Sequence, residues 1–125
     1  MIEIHIPYPA TKNMQKMWNA EYGMNAIYAG KHWSKRSQDA QLWHYMVNGE
    51  LNKIKGGYKM FDSPVIITFY FNDRLDVSNH AYIVKLIEDG LKGRVIKDDS
   101  QKYVKGIEMY LHKENFIKVV IAETL

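Results

Sequence analysis

Ile2, Ile4 and Ile6 alternate with Glu3 and His5 at the start of the chain, the period-two signature of a half-buried strand, which Pro7 and Pro9 end. Residues 10–32 mix Asn, Gly and Met with the rings of Trp18, Tyr22 and Tyr28 at no clear period, which predicts a long loop. From Ser34 to about Lys55 the spacing becomes helical: Ala40, Trp43, Val47, Leu51 and Ile54 share one face, while Lys35, Arg36, Asp39 and Asn48 lie elsewhere. Gly56 and Gly57, just behind Lys53 and Lys55, supply the stop signal. The run VIITFYF at 65–71 is dense in β-branched and aromatic residues and predicts a central strand buried on both faces.

A second helix is expected from about Ser78 to Leu91. Ile83, Val84, Ile87 and Leu91 form its anchoring face, and Lys85 and Asp89, four apart, project from the other side together with Tyr82. The Ser78 hydroxyl suits the N-cap. Two strands follow, near Tyr103–His112 and Phe116–Ala122, with Lys113, Glu114 and Asn115 as their hairpin turn. The order β-α-β-α-β-β predicts an α+β fold, one domain over residues 1–125, with two helices packed on a mixed four-stranded sheet.

Composition narrows the chemistry. At 125 residues and 46% hydrophobic, the chain suits one core that needs no covalent staple. It has no cysteine, which excludes disulfides, thiolate zinc sites, iron–sulfur clusters and a cysteine nucleophile. The N-terminus lacks the pattern of a signal peptide. The longest apolar stretch, 65–71, includes Thr68 and falls far short of the roughly 20 residues of a membrane span. A soluble, cytoplasmic protein is the expectation. With 17 Lys plus Arg against 14 Asp plus Glu, the net charge of +3 is mildly basic, below that of a histone-like binder. His5, His32, His44, His80 and His112 show no paired ligand spacing and receive no role.

Candidate chemistry concentrates between Leu75 and Gln101. Asp76 stands just ahead of the second helix, and Asp98 and Asp99 occupy the turn before the next strand. Converging carboxylates need a lysine or a cation to neutralise them, and a hard ion such as Mg²⁺ prefers a few carboxylate oxygens. By spacing alone the plainer reading leads: Asp98-Asp99-Ser100 as an ordinary turn, and Lys85 with Asp89 as a surface ion pair.

Asp76-Val77-Ser78-Asn79, then Lys85, Asp89-Gly90-Leu91 and Asp98-Asp99-Ser100-Gln101 follow the order of a known pattern: D-x-D-N, a helix lysine, D-[AG]-L and a D-D pair before a strand. The chain thereby resembles the RusA family of Holliday junction resolvases. The opening IHIPYP with Lys12 and Asn13 is similar to that family's first strand and loop, so the likeness covers nearly the whole chain. The resemblance implies a homodimeric, Mg²⁺-dependent endonuclease, Mn²⁺ being an alternative ion, that cuts four-way DNA by paired symmetric nicks. It implies Asp76 and Asp99 as metal-ligating catalytic carboxylates, Lys85 near the scissile phosphate or the attacking water, and Asp98 or Asp89 as further ligands. Ser78 departs from the pattern, since serine can cap a helix but cannot supply the anionic ligand. A higher Mg²⁺ requirement follows.

Phosphate contacts are expected from Lys12, Lys31, Lys35, Arg36, Arg94 and Lys97. Trp18, Tyr22, Tyr28 and Trp33 either stack on unpaired bases or pack on the core, packing being favoured for the tryptophans. Two rival functions stand beside the resolvase: a non-catalytic branched-DNA or single-strand binder, and a metal-dependent nuclease of another structured nucleic acid.

Overall fold

A computed structural model describes residues 1–124. The first strand, β1 (Ile2–Pro7), buries Ile2, Ile4 and Ile6 and exposes the residues between them, as the alternation requires. The segment expected to be a loop instead contains two helices, α1 (Lys12–Tyr22) and α2 (Met24–Tyr28). Thr11 caps α1 by accepting the Met14 N–H at 3.1 Å, and Trp18 and Tyr22, one turn apart, face an aromatic cluster with Tyr8 and Trp43. Two rings are too few to make a period. Tyr8, just beyond β1, and Trp43 complete the apolar side.

α3 (Trp33–Asn52) follows and buries Trp43, Val47 and Leu51, with Ala40 and Ile54 half-buried beside them. β2 (Val65–Phe71) buries Val65, Ile67, Phe69 and Phe71 but leaves Ile66, Thr68 and Tyr70 half-exposed, so it is not sealed on both faces. Helices cover only one side of the sheet. On the other side Tyr110 and Lys118 shield Tyr70, the ring by stacking and the amine at 4.6 Å from the ring centre. A single 3₁₀ turn at Val77–His80 leads into α4 (Ala81–Leu91), so Ser78 lies inside that turn and caps nothing. Its first residue follows Asp76, the cap position, which makes no side-chain capping bond.

β3 (Val104–Leu111) and β4 (Phe116–Glu123) complete a mixed four-stranded sheet in the order β1-β4-β2-β3, and the fold is α+β as expected, with four α-helices where two were foreseen. β4 runs antiparallel to both neighbours, and β3 pairs with β2 in parallel. The turn at 113–115 is therefore no hairpin between paired strands, because it steps across the end of β2, where Asn72 Nδ2 donates to the Glu114 carbonyl at 3.1 Å. Burial explains the order. β2 and β4 are the most apolar segments and take interior positions, while the largely exposed β3 takes an edge. The register sets Ile4, Val119 and Phe69 in one row and Ile2, Ile121 and Ile67 in the next, beneath α3 and α4.

The two long helices meet at Gly90, where an added Cβ would lie 3.1 Å from Val47 Cβ. Gly90→Val is accordingly expected to destabilise the fold by about 1–3 kcal/mol in urea unfolding, through overpacking against Val47. Unchanged stability would show that the helices separate freely at this point.

Candidate active site

Lys85 occupies the first turns of α4, pointing away from the core, and three carboxylates surround its ammonium. Asp99, fourteen positions later, folds back from the loop before β3 to accept a hydrogen bond from Nζ. Asp89 Oδ1 lies 3.2 Å from Nζ and Glu88 Oε1 3.5 Å. Lys92 closes the group from the far end of the helix, 3.7 Å from Asp89 and 3.6 Å from Asp99. The Lys85–Asp89 pair expected from the four-residue spacing is present. Glu88 and Lys92 were not foreseen, although each stands three positions from a foreseen partner, Lys85 and Asp89 respectively, and that spacing was the available signal.

These contacts tune the groups. The hydrogen bond from Lys85 holds the Asp99 carboxyl down at about 2, against a smaller upward effect of burial, with Lys92 assisting. The same bond raises Lys85 above the usual lysine range, again in spite of burial, and Asp89 adds to it. Burial pushes the Glu88 carboxyl up, opposed by Lys85 and reinforced by the charges of Asp99 and Asp89. Because the folded value of Asp99 is depressed, its contribution to stability is present above the unfolded value near 4 and is lost as pH falls through about 2. A carboxyl-carbon NMR titration is expected to give Asp99 a midpoint near 2; a midpoint near 4 would mean that the pair with Lys85 does not form in solution.

The other sequence candidates are dispersed. Asp76 is exposed and joins none of these ion pairs among the described residues, and the 3₁₀ turn and the first turn of α4 separate it from Lys85. Asp98 is exposed beside Asp99. Asn79, the last residue of the D-x-x-N segment, accepts the Met24 N–H at 2.6 Å and so ties this segment to the start of α2. Among the described residues no three His, Asp or Glu side chains are arranged to hold a metal ion. The donor chemistry of Asp89 and Asp99 nonetheless suits a hard cation, and the buried Asp89 Oδ1 has the Lys85 and Lys92 ammonium groups beside it. At present the Lys85 ammonium is the cation the carboxylates share.

Of the phosphate candidates, Lys12, Lys35, Arg36 and Lys97 are exposed, and Arg94 donates to the Tyr58 hydroxyl at 3.2 Å. Lys31 is a correction. Its side chain is only 7% exposed, paired with Asp39 and Glu21 and lying against the rings of Tyr22 and Tyr82. Burial would lower its pKa, but hydrogen bonds to Asp39 and Glu21 raise it overall, so it stays charged as an internal brace. The aromatic residues divide: Trp18 and Tyr22 pack inward, whereas Tyr28 (82%) and Trp33 (70%) are exposed, so Trp33 departs from the packing expected of a tryptophan.

His80 also has a place that spacing did not reveal. It is wholly buried against Phe71, its Nε2 lies 2.7 and 2.9 Å from the two Asp73 oxygens, and its Nδ1 lies 3.0 Å from the Val77 carbonyl. Tyr8 donates to Asp73 at 2.9 Å and accepts the Asn72 N–H at 2.8 Å, and burial, opposed by that N–H and reinforced by Asp73, raises its pKa. No protein-family model and no curated protein matches the chain. No helix among the described residues is long and apolar enough to cross a membrane.

Proposed function

We propose that this protein is a Mg²⁺-dependent endodeoxyribonuclease of the RusA kind, cutting four-way DNA junctions. The supporting observation is the return of Asp99 to Lys85 and Asp89, which gathers three of the residues singled out by the motif into one partly exposed cluster. Asp89 and Asp99 would hold the ion. Such an ion polarises a phosphodiester and lowers the pKa of a bound water. Asp99, with its carboxyl near 2, is anionic throughout the physiological range, and Lys85, held cationic, offsets charge on the phosphate oxygens. Asp98 is the nearest exposed carboxylate in sequence for a further ligand, and Asp76 would have to approach from outside the cluster.

A two-fold junction requires matched cuts, so the working form would be a homodimer, acting in the cytoplasm. One observation favours a second reading, a non-catalytic branched-DNA or single-strand binder: Asp76 stands outside the cluster and Ser78 replaces an anion. Incubation of purified protein with a labelled synthetic junction, with and without Mg²⁺ or Mn²⁺, separates these. Paired symmetric nicks support the resolvase, and binding without cleavage at any metal concentration supports the binder. Cleavage confined to other structured substrates would favour a different nuclease.

A further inference from the structure

A cleft of about 610 Å³ lies between α1 and the two turns that end β2 and precede β4, apart from the Lys85 cluster. Lys12 and Lys16 on α1 and Arg74 beyond β2 line it, with Asn13 and Asn115 at its sides. None of the three cations enters an ion pair among the described residues. The lining carboxylate is Asp73, and its oxygens are already engaged: His80 and Tyr8 contact them, and the Leu75 N–H donates to Oδ1 at 3.1 Å. Both ring nitrogens of His80 face protein oxygens, Nδ1 the Val77 carbonyl at 3.0 Å and Nε2 the Asp73 carboxylate at 2.7 Å. The cleft therefore presents three cations without ion-pair partners among the described residues, beside one carboxylate whose oxygens are engaged by internal partners.

Arg74 has φ +71°, a left-handed conformation that any residue with a Cβ adopts at a cost. A glycine would fit this turn with less strain, and the guanidinium makes no hydrogen bond or ion pair among the described residues.

We infer that this cleft seats the phosphodiester backbone of a DNA strand, held by Lys12, Lys16 and Arg74. The inference rests on the DNA reading above and deepens it, because it assigns the backbone contacts to a surface distinct from the carboxylate cluster and removes Lys31 from them. Lysine and arginine neutralise phosphates without reading bases, and amide side chains supply neutral hydrogen bonds to the same oxygens. Three neutralised phosphates make binding depend on salt, each contributing a slope of about 0.9 in log K against log salt on duplex DNA.

The test is anisotropy of a fluorescent four-way junction and of a labelled oligothymidylate, measured in EDTA so that no cutting occurs. Lys12→Gln, Lys16→Gln and Arg74→Gly are made singly and together. Each is expected to lower the salt slope on the junction by about 0.9, and the triple variant to bind at least about tenfold more weakly. The two lysine positions are exposed on α1 and glycine suits the Arg74 backbone, so thermal unfolding should stay unchanged or rise. A triple variant that binds like the parent, with the same slope, overturns the inference. Titration with inorganic phosphate distinguishes a strand site from a free-anion site, and equal affinity for phosphate and oligonucleotide also overturns it. Cutting by a triple variant with undiminished binding would retain the nuclease reading and discard the cleft. Loss of binding in a protein that never nicks DNA would do the reverse.

Discussion

Asp99→Asn is expected to reduce the proposed junction cutting by at least about a hundredfold while leaving junction binding in EDTA within about twofold of the parent. The amide keeps the shape of the side chain but removes the anion, and loss of one preorganised charged or hydrogen-bonding group at a reacting phosphate typically lowers rates 10²–10³-fold. Lys85 would keep Asp89 and Glu88 as partners, so the cluster should lose chemistry before it loses structure. Binding is spared because the substrate is itself an anion and removing a nearby negative charge does not weaken its attraction. Single-turnover cutting with enzyme in excess is the measurement. Undiminished cutting would disconnect the cluster from the reaction. Asp76→Asn in the same assay then decides whether the exposed carboxylate ahead of the 3₁₀ turn joins the site when DNA is bound.

Asp73→Ala should be the most damaging change to stability, about 3–5 kcal/mol in urea unfolding, equivalent to a fall in Tm of roughly 10–20 °C for a chain of this size. The substitution removes the partner of the wholly buried His80 ring together with the acceptor of the Tyr8 hydroxyl and the Leu75 N–H. Each buried polar group left without a partner costs about 1–3 kcal/mol, and three are stranded together. Asp73→Asn, which keeps an acceptor, is expected to lose less. A shift below about 1 kcal/mol for the alanine variant would mean that water reaches the pocket and the pair is not sealed. The network joins the end of β1, the exit from β2 and the entry to α4, so its loss should loosen both the cationic cleft above it and the segment bearing Asp76.

Legibility in the sequence followed the strength of the local signal. β1 and α3 could be read because burial on one side imposes a period that no neighbour is needed to complete. α1 could not, because Trp18 and Tyr22 make an apolar side only when Tyr8 and Trp43 arrive from elsewhere in the chain. The turn at 113–115 looked like a hairpin because turn residues mark a reversal, and they do not say whether another strand will enter between the two arms. Within the candidate site, the neighbours of Lys85 on its own helix follow from three- and four-residue spacing, whereas the approach of Asp99 depends on how the intervening loop closes.

The chain's own pattern determined the α+β class, the principal strands and helices, the absence of thiol chemistry and the segment in which acidic and basic side chains alternate. Those properties are local or compositional, and one strand or one helix suffices to express them. Only the tertiary structure decided that Lys31 is an internal brace, that His80 is buried on Asp73, and that Asp99 meets Lys85 while Asp76 stays apart. The reason is physical: burial and charge pairing between distant residues depend on where the sheet brings its strands, and side-chain spacing along one segment contains no record of that.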